Sequence, residues 1–127
     1  MGTETYKLLI IDDVEENREL LRRRLLQAGY AVETANEGRE GLGILENDLI
    51  DLVLLDINMP IMDGITLLKQ IRSNSALANI PVIMLTGIED MAVVLECLRA
   101  GACGYVTKPY NMDQVNQQIR HCLDVQE

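Results

Sequence analysis

The chain has no tryptophan and no phenylalanine, so its four tyrosines supply every aromatic side chain. Any core must therefore be aliphatic. Positive charge is also scarce: 11 Lys and Arg stand against 20 Asp and Glu, a formal net charge of −9. Nucleic-acid backbones reward clustered Lys and Arg, so this balance argues against direct nucleic-acid binding and fits cations or a basic protein partner. Cys97, Cys103 and Cys122 are odd in number and lack the spacing of zinc ligands; they read as apolar or half-buried thiols in a reducing compartment. The opening MGTETYK has no apolar leader core, and Tyr6 stands where a myristoylation motif wants Ser or Thr. No apolar run approaches the ~20 residues that span a bilayer. A cytoplasmic chain with no membrane partner is expected.

What is present suits one domain over residues 1–127: no repeat, linker or low-complexity segment interrupts the chain, and 48% of it is hydrophobic. A chain of this length buries roughly two-thirds of its unfolded surface, enough for a core without metal or disulfide.

The stretch that organises the rest is Leu52–Gly64, LVLLDINMPIMDG. Leu52–Leu55 reads as a strand buried on both faces, and Asp56 ends it. Pro60 cannot continue a central strand, and Asp63-Gly64 is a second turn signal before a helical pattern. An acid thus sits at the carboxyl end of a central strand, where open α/β sheets hold their ligands.

From the N-terminus, Lys7–Ile11 is a buried strand ending in Asp12-Asp13. A helix follows, with Asn17 as its start or cap, Leu21, Leu25 and Ala28 on one face, and Arg22, Arg23 and Arg24 mostly solvated. Gly29 closes it, and Tyr30–Ala35 alternates like an edge or half-buried strand. Gly38–Asn47 is a helix whose small residues let it sit close to the sheet. Its glycines stand as G-x-x-G-x-G, which is not the dinucleotide fingerprint. After the central strand, Ile65, Leu68 and Ile71 pattern a helix ending near Ser73-Asn74, and Val82–Leu85 is a strand delivering Thr86 and Gly87. Met91, Val94, Leu95 and Leu98 form the expected inner stripe of the next helix, which Gly101 stops; Ala92 and Val93 then point outward. Exposed Val93 suggests an apolar contact with a partner or a second copy. Tyr105-Val106 belongs to a short last strand ending at Thr107-Lys108-Pro109, and Asn111 caps a final helix with Val115, Ile119 and Cys122 or Leu123 inward. Five strands alternating with five helices predict a doubly wound parallel sheet with helices on both faces.

Parallel strands bring their carboxyl ends to one edge, so Asp12, Asp13, Asp56, Thr86 and Lys108 gather there. Clustered carboxylates repel, and Mg2+ suits a few carboxylates plus carbonyl and water oxygens. The Lys108 ammonium and Thr86 hydroxyl complete a cradle for an anionic oxygen group. A carboxylate facing that cradle is well placed to attack phosphorus and become an acyl phosphate.

Over Lys7 to about Leu123 the chain resembles a response-regulator receiver domain of two-component signalling, through IIDDVEENR, LVLLDINMPIMDG, VIMLTG and GACGYVTKPY in that order. The resemblance implies the flavodoxin-like strand order 2-1-3-4-5 and a phosphoacceptor role for Asp56, supplied by a histidine kinase or histidine phosphotransfer protein. It implies that Asp13, Asp56 and the backbone carbonyl of Asn58 hold Mg2+, with Asp12 acting through water. Lys108 would pair with Asp56 or the phosphoryl oxygens, positioned by a cis bond to Pro109. Thr86 and Tyr105 would switch together and remodel the face of the fourth helix, fifth strand and fifth helix toward a downstream effector or a homodimer.

Plainer readings stand beside these. Asp12 as a helix cap, Thr86 as an ordinary strand end, Tyr105 as a core aromatic and Tyr110 as packing are the local alternatives; His121 is a surface or dipole residue. As a whole, a Mg2+-dependent phosphohydrolase with Asp56 as nucleophile would want an acid where Asn58 stands and a cap domain. A docking module that never takes phosphate would normally lack one of the acids or the Lys. The residues contain no output domain.

Overall fold

The computed structural model describes residues 5–87 and 91–124. The first four residues, part of the stretch read for a leader, lie outside them. Five strands alternate with five helices: β1 Lys7–Ile11, α1 Glu15–Gln27, β2 Ala31–Ala35, α2 Gly38–Asn47, β3 Leu52–Asp56, α3 Gly64–Ser73, β4 Val82–Thr86, α4 Met91–Arg99, β5 Gly104–Thr107 and α5 Met112–Asp124. The sheet is parallel throughout, in the order β2-β1-β3-β4-β5. Every residue of β3 and β4 is buried, as two-sided coverage requires, while β2 is the half-buried edge.

Alternation along the strands splits the core in two. Leu8, Ile10, Leu52, Leu54, Ile83, Leu85 and Val106 face Leu21 and Leu25 of α1 and Val115, Ile119, Cys122 and Leu123 of α5. Leu9, Ile11, Val53, Leu55, Val82 and Met84 face Leu45, Leu67, Leu68, Ile71 and Cys97, from α2, α3 and α4. Gly41 is where α2 lies closest to the sheet, since a Cβ there would run into the Ile11 side chain. Gly29, at φ +101°, ends α1 in the left-handed region.

Four local expectations need correction. Asn17 lies inside the first turn of α1, whose N-cap is Val14, because an Asx turn from Asp12 Oδ1 to the Val14 amide (2.9 Å) starts the helix earlier. Ala28 is the exposed C-cap of that helix and does not join its inner stripe. On α4 the buried residues are Val94 and Cys97, with Val93 packed partly against the core, whereas Met91, Leu95 and Leu98 face solvent. Apolar residues occupy most of that helix, so periodicity left its inward face undecided and packing against the sheet selected it. Finally, the three cysteines are not all free thiols: Cys103 and Cys122 form a disulfide across 19 residues, with Cα atoms 6.0 Å apart, and Cys97 alone remains a buried thiol. The bridge arises because α5 runs back along β5, a proximity no spacing in the sequence announces.

Arg72 ties the far end of the molecule. Its Nε and Nη2 donate to the Gly101 carbonyl (3.0 and 2.7 Å), and its Nη1 donates to the Ala78 and Ile80 carbonyls (3.2 and 2.7 Å). One guanidinium thereby fastens α3, the loop into β4 and the turn after α4, where Gly101 has φ +108°.

Candidate phosphoacceptor site

The carboxyl edge of the sheet collects side chains from four strand ends. Asp12 and Asp13 follow β1, Asp56 ends β3, Thr86 ends β4, and Lys108 follows β5. Asp12, Asp56 and Thr86 are the buried polar residues here, at 0%, 2% and 0% exposure, while Asp13 is open to solvent. A carboxylate oxygen from each of Asp12, Asp13 and Asp56 lies within 4.8 Å of the others.

The Lys108 ammonium bridges two of these acids, 3.3 Å from Asp56 Oδ2 and 3.4 Å from Asp12 Oδ2. Lys108 is held in turn by its amide, which donates to the Thr86 carbonyl (2.8 Å), and the Lys108–Pro109 peptide is cis. The Asn58 amide donates to Asp56 Oδ1 (3.1 Å), while the Asn58 side chain is exposed. Asp12 is fixed by the Val14 amide and by Arg18, whose Nη1 donates to the Asp12 carbonyl at 2.9 Å. Thr86 is buried, and Tyr105 is half-buried against the α2–α3–α4 side of the core.

Burial, helped by the neighbouring Asp12 charge, pushes the Asp56 carboxyl up to about 6; Lys108 and the Asn58 amide pull the other way without cancelling it. Asp12 Oδ2 is buried with no hydrogen-bond donor, its distance to Lys108 being an ion-pair contact without hydrogen-bond geometry. Three hard oxygen ligands and one unsatisfied buried carboxylate oxygen suit a divalent cation such as Mg2+.

The loop after Asp56 is held by backbone. The Gly64 amide donates to the Ile57 carbonyl (2.8 Å), and a Cβ at Gly64 would collide with the Asp56 carbonyl, so the loop closes only over glycine. Asp63 caps α3 through the Thr66 amide at 2.9 Å. Between them the Met62 amide donates to the Pro60 carbonyl (2.8 Å), making Ile61 the centre of a γ-turn at φ 72° with its side chain fully exposed.

The fold, the edge of buried acids and the bridging lysine agree with what comparison finds: the family described as "Response regulator receiver domain" matches residues 8–120. The chain belongs to that family. Among curated relatives, the probable transcriptional regulator ycf27 of Guillardia theta is 39% identical over 117 residues, 92% of this chain and 45% of its own length. The regulatory protein AtoC of Escherichia coli K12 is 36% identical over 124 residues, 98% of this chain and 26% of its own. The receiver domain thus spans half or less of the length of such relatives. Among solved structures, a response regulator from Chloroflexus aurantiacus J-10-fl, described as putative, superposes with TM-score 0.91 at 31% identity, covering 95% of this chain and 99% of that one. The chemotaxis response regulator CheY4 of Vibrio cholerae gives 0.87 at 32%, covering 94% and 99%.

One residue beside the receiver's acids escaped sequence reasoning as a site residue. Tyr110 packs on the α1–α5 side, as its plainer reading expects, yet its hydroxyl is buried without a hydrogen-bond partner. Burial and the charges of Asp12 and Asp56 push that hydroxyl well above the ordinary tyrosine range. Its only sequence signal was its place two residues after Lys108.

Proposed function

We propose that this receiver domain is a phosphoacceptor switch in which Asp56 takes a phosphoryl group from a phosphohistidine on a histidine kinase or histidine phosphotransfer protein. The observation that carries the reading is the lysine shared between two buried carboxylates at one sheet edge, 3.3 Å from Asp56 and 3.4 Å from Asp12. An Asp56 oxygen attacks phosphorus as the N–P bond breaks; an O–P bond forms, and the released imidazole takes a proton from water. Lys108 holds the acceptor carboxylate before transfer and meets the phosphoryl oxygens after it. Thr86, at the tip of β4, supplies a hydroxyl to the same oxygens.

Asp13, Asp56 and the Asn58 carbonyl would hold Mg2+, with Asp12 reached through water, and the ion supplies charge neutralisation for the phosphoryl oxygens. Phosphorylation adds about −2 charges at one loop edge, and movement of Thr86 and Tyr105 carries that change to the α4–β5–α5 face. Exposed Met91, Leu95 and Leu98 on α4 support that face as the contact with an effector or a second copy. The domain acts in the cytoplasm as a single receiver unit over residues 1–127, without binding nucleic acid or membrane itself. Among the described residues no helix is long and apolar enough to cross a membrane. Its only catalysis is to assist its own phosphorylation and slow dephosphorylation. The phosphohydrolase alternative lacks its acid at Asn58.

Incubation with acetyl phosphate and Mg2+, followed by intact mass, tests the reading. Wild type gains one phosphate and Asp56→Asn gains none; a phosphate on both moves the acceptor elsewhere.

A further inference from the structure

We propose that Cys103 is a thiol-modification site: with Cys122 it forms a reversible dithiol–disulfide couple, opened and closed through a transient mixed disulfide with a small thiol of the glutathione class, and closing it clamps the last turn of α5 onto the start of β5. Three observations carry this. The two cysteines are bridged across 19 residues with Cα atoms 6.0 Å apart, inside the span a disulfide accepts. They differ in access: Cys122 is fully buried, whereas Cys103 is half-buried at the mouth of β5. Other contacts also join the two segments. The Cys103 amide donates to the Val82 carbonyl at 2.8 Å, and Val106, Val115, Ile119 and Leu123 join β5 and α5 through the core.

Gly104 makes the close approach feasible, because a Cβ there would meet Gln118 and lie 3.8 Å from Cys122 Sγ. Cys97 cannot substitute for either partner, since it lies in the core on the opposite side of the sheet. Reversibility rests on the cytoplasmic reading above, because a disulfide kept in a reducing compartment is ordinarily a transient one.

In the opening direction a glutathione thiolate attacks Cys103 Sγ, the S–S bond breaks, and Cys122 leaves as a thiolate that takes a proton. A second glutathione thiolate attacks the mixed disulfide and leaves as oxidised glutathione, releasing Cys103. The protein disulfide gains two electrons and two glutathiones lose them. Closing is the reverse: oxidised glutathione modifies Cys103, and Cys122 displaces the adduct. Tyr105 lies two residues after Cys103, within β5, so the couple acts on one corner of the proposed switching face.

The test equilibrates the whole chain in buffers running from reduced to oxidised glutathione, quenches it in acid, alkylates it in denaturant and reads intact mass. The expected result is a passage from three alkylated cysteines to one, with the survivor mapped to Cys97. In Cys122→Ser, Cys103 carries one glutathione; in Cys103→Ser, folded Cys122 carries none. Closing slows amide exchange in the last turn of α5 by on the order of tenfold. Three reactive thiols in every buffer, a bond that survives the most reducing buffer, or equal modification of Cys122 in Cys103→Ser overturns the proposal. Acetyl phosphate labelling of aliquots taken before the quench reports on Asp56 separately, so failure of the phosphoacceptor reading leaves the thiol count to be judged alone.

Discussion

Replacing Asp56 by Asn in the metal-free protein should make it more stable at neutral pH, although the substitution removes an ion pair. Asp56 is 2% exposed, and its carboxyl is raised from 3.8 to about 6, first by burial and then by Asp12. Between those two values the folded chain holds a proton that the unfolded chain has released. More protons bound in the native state means that wild-type stability falls as pH rises through this window. At about 1.4 kcal/mol per unit, the displacement corresponds to roughly 3 kcal/mol withdrawn by the time Asp56 is ionised. Asn has nearly the same shape and cannot ionise, so it escapes that loss; Lys108 keeps Asp12 as its remaining partner, 3.4 Å away.

Urea unfolding in chelator, repeated from pH about 4 to about 7, should give variant and wild type nearly equal stability at the acid end and a gap opening to roughly 3 kcal/mol at the neutral end. Titrating groups remote from Asp56, Asp12 and Lys108 cancel in the difference. Added Mg2+ should then narrow the gap by stabilising wild type more than the variant. A variant equal to or less stable than wild type at pH about 7, with a flat difference across the range, refutes the premise that burial and Asp12 oppose the Asp56 charge.

Two further substitutions probe the frame around the site. Ile61→Gly should raise stability by about 1 kcal/mol, because the left-handed turn strains a β-branched residue and the fully exposed side chain loses no burial; a lower urea midpoint for the variant would mean that the γ-turn is not held in solution. Arg72→Met should cost about 3 kcal/mol, since four hydrogen bonds to the Gly101, Ala78 and Ile80 carbonyls disappear, and a loss below about 1 kcal/mol in denaturant titration would show those carbonyls well served by water.

The strands were legible because each is a short apolar run bounded by a turn: KLLII before Asp12-Asp13, LVLLD before Pro60, VIML before Thr86-Gly87. Their alternation with helices made the sheet parallel, and a parallel sheet gathers its strand tips. The gathering of Asp12, Asp13, Asp56 and Lys108 was therefore foreseeable from topology alone. Much less legible was the loop after Asp56. Ile61 carries no sign of a positive φ, for a β-branched residue is a poor candidate for it. Its conformation follows from closing Pro60 to Met62 while Gly64 presses on the Asp56 backbone. Tyr110 was similarly opaque, because its isolation beside two acids depends on chain segments that meet only after folding.

By itself the sequence determined which segments form strands and helices, that the sheet is parallel, and which acids and base end at its carboxyl edge. These follow from contacts between near neighbours and from one rule about parallel strands. Tertiary structure alone decided which side of α4 faces inward, that Cys103 meets Cys122, and that Asp12 keeps an unsatisfied oxygen. Each of those depends on which distant surfaces meet. A helix apolar around most of its circumference, or cysteines 19 residues apart, hold no local preference to reveal the choice.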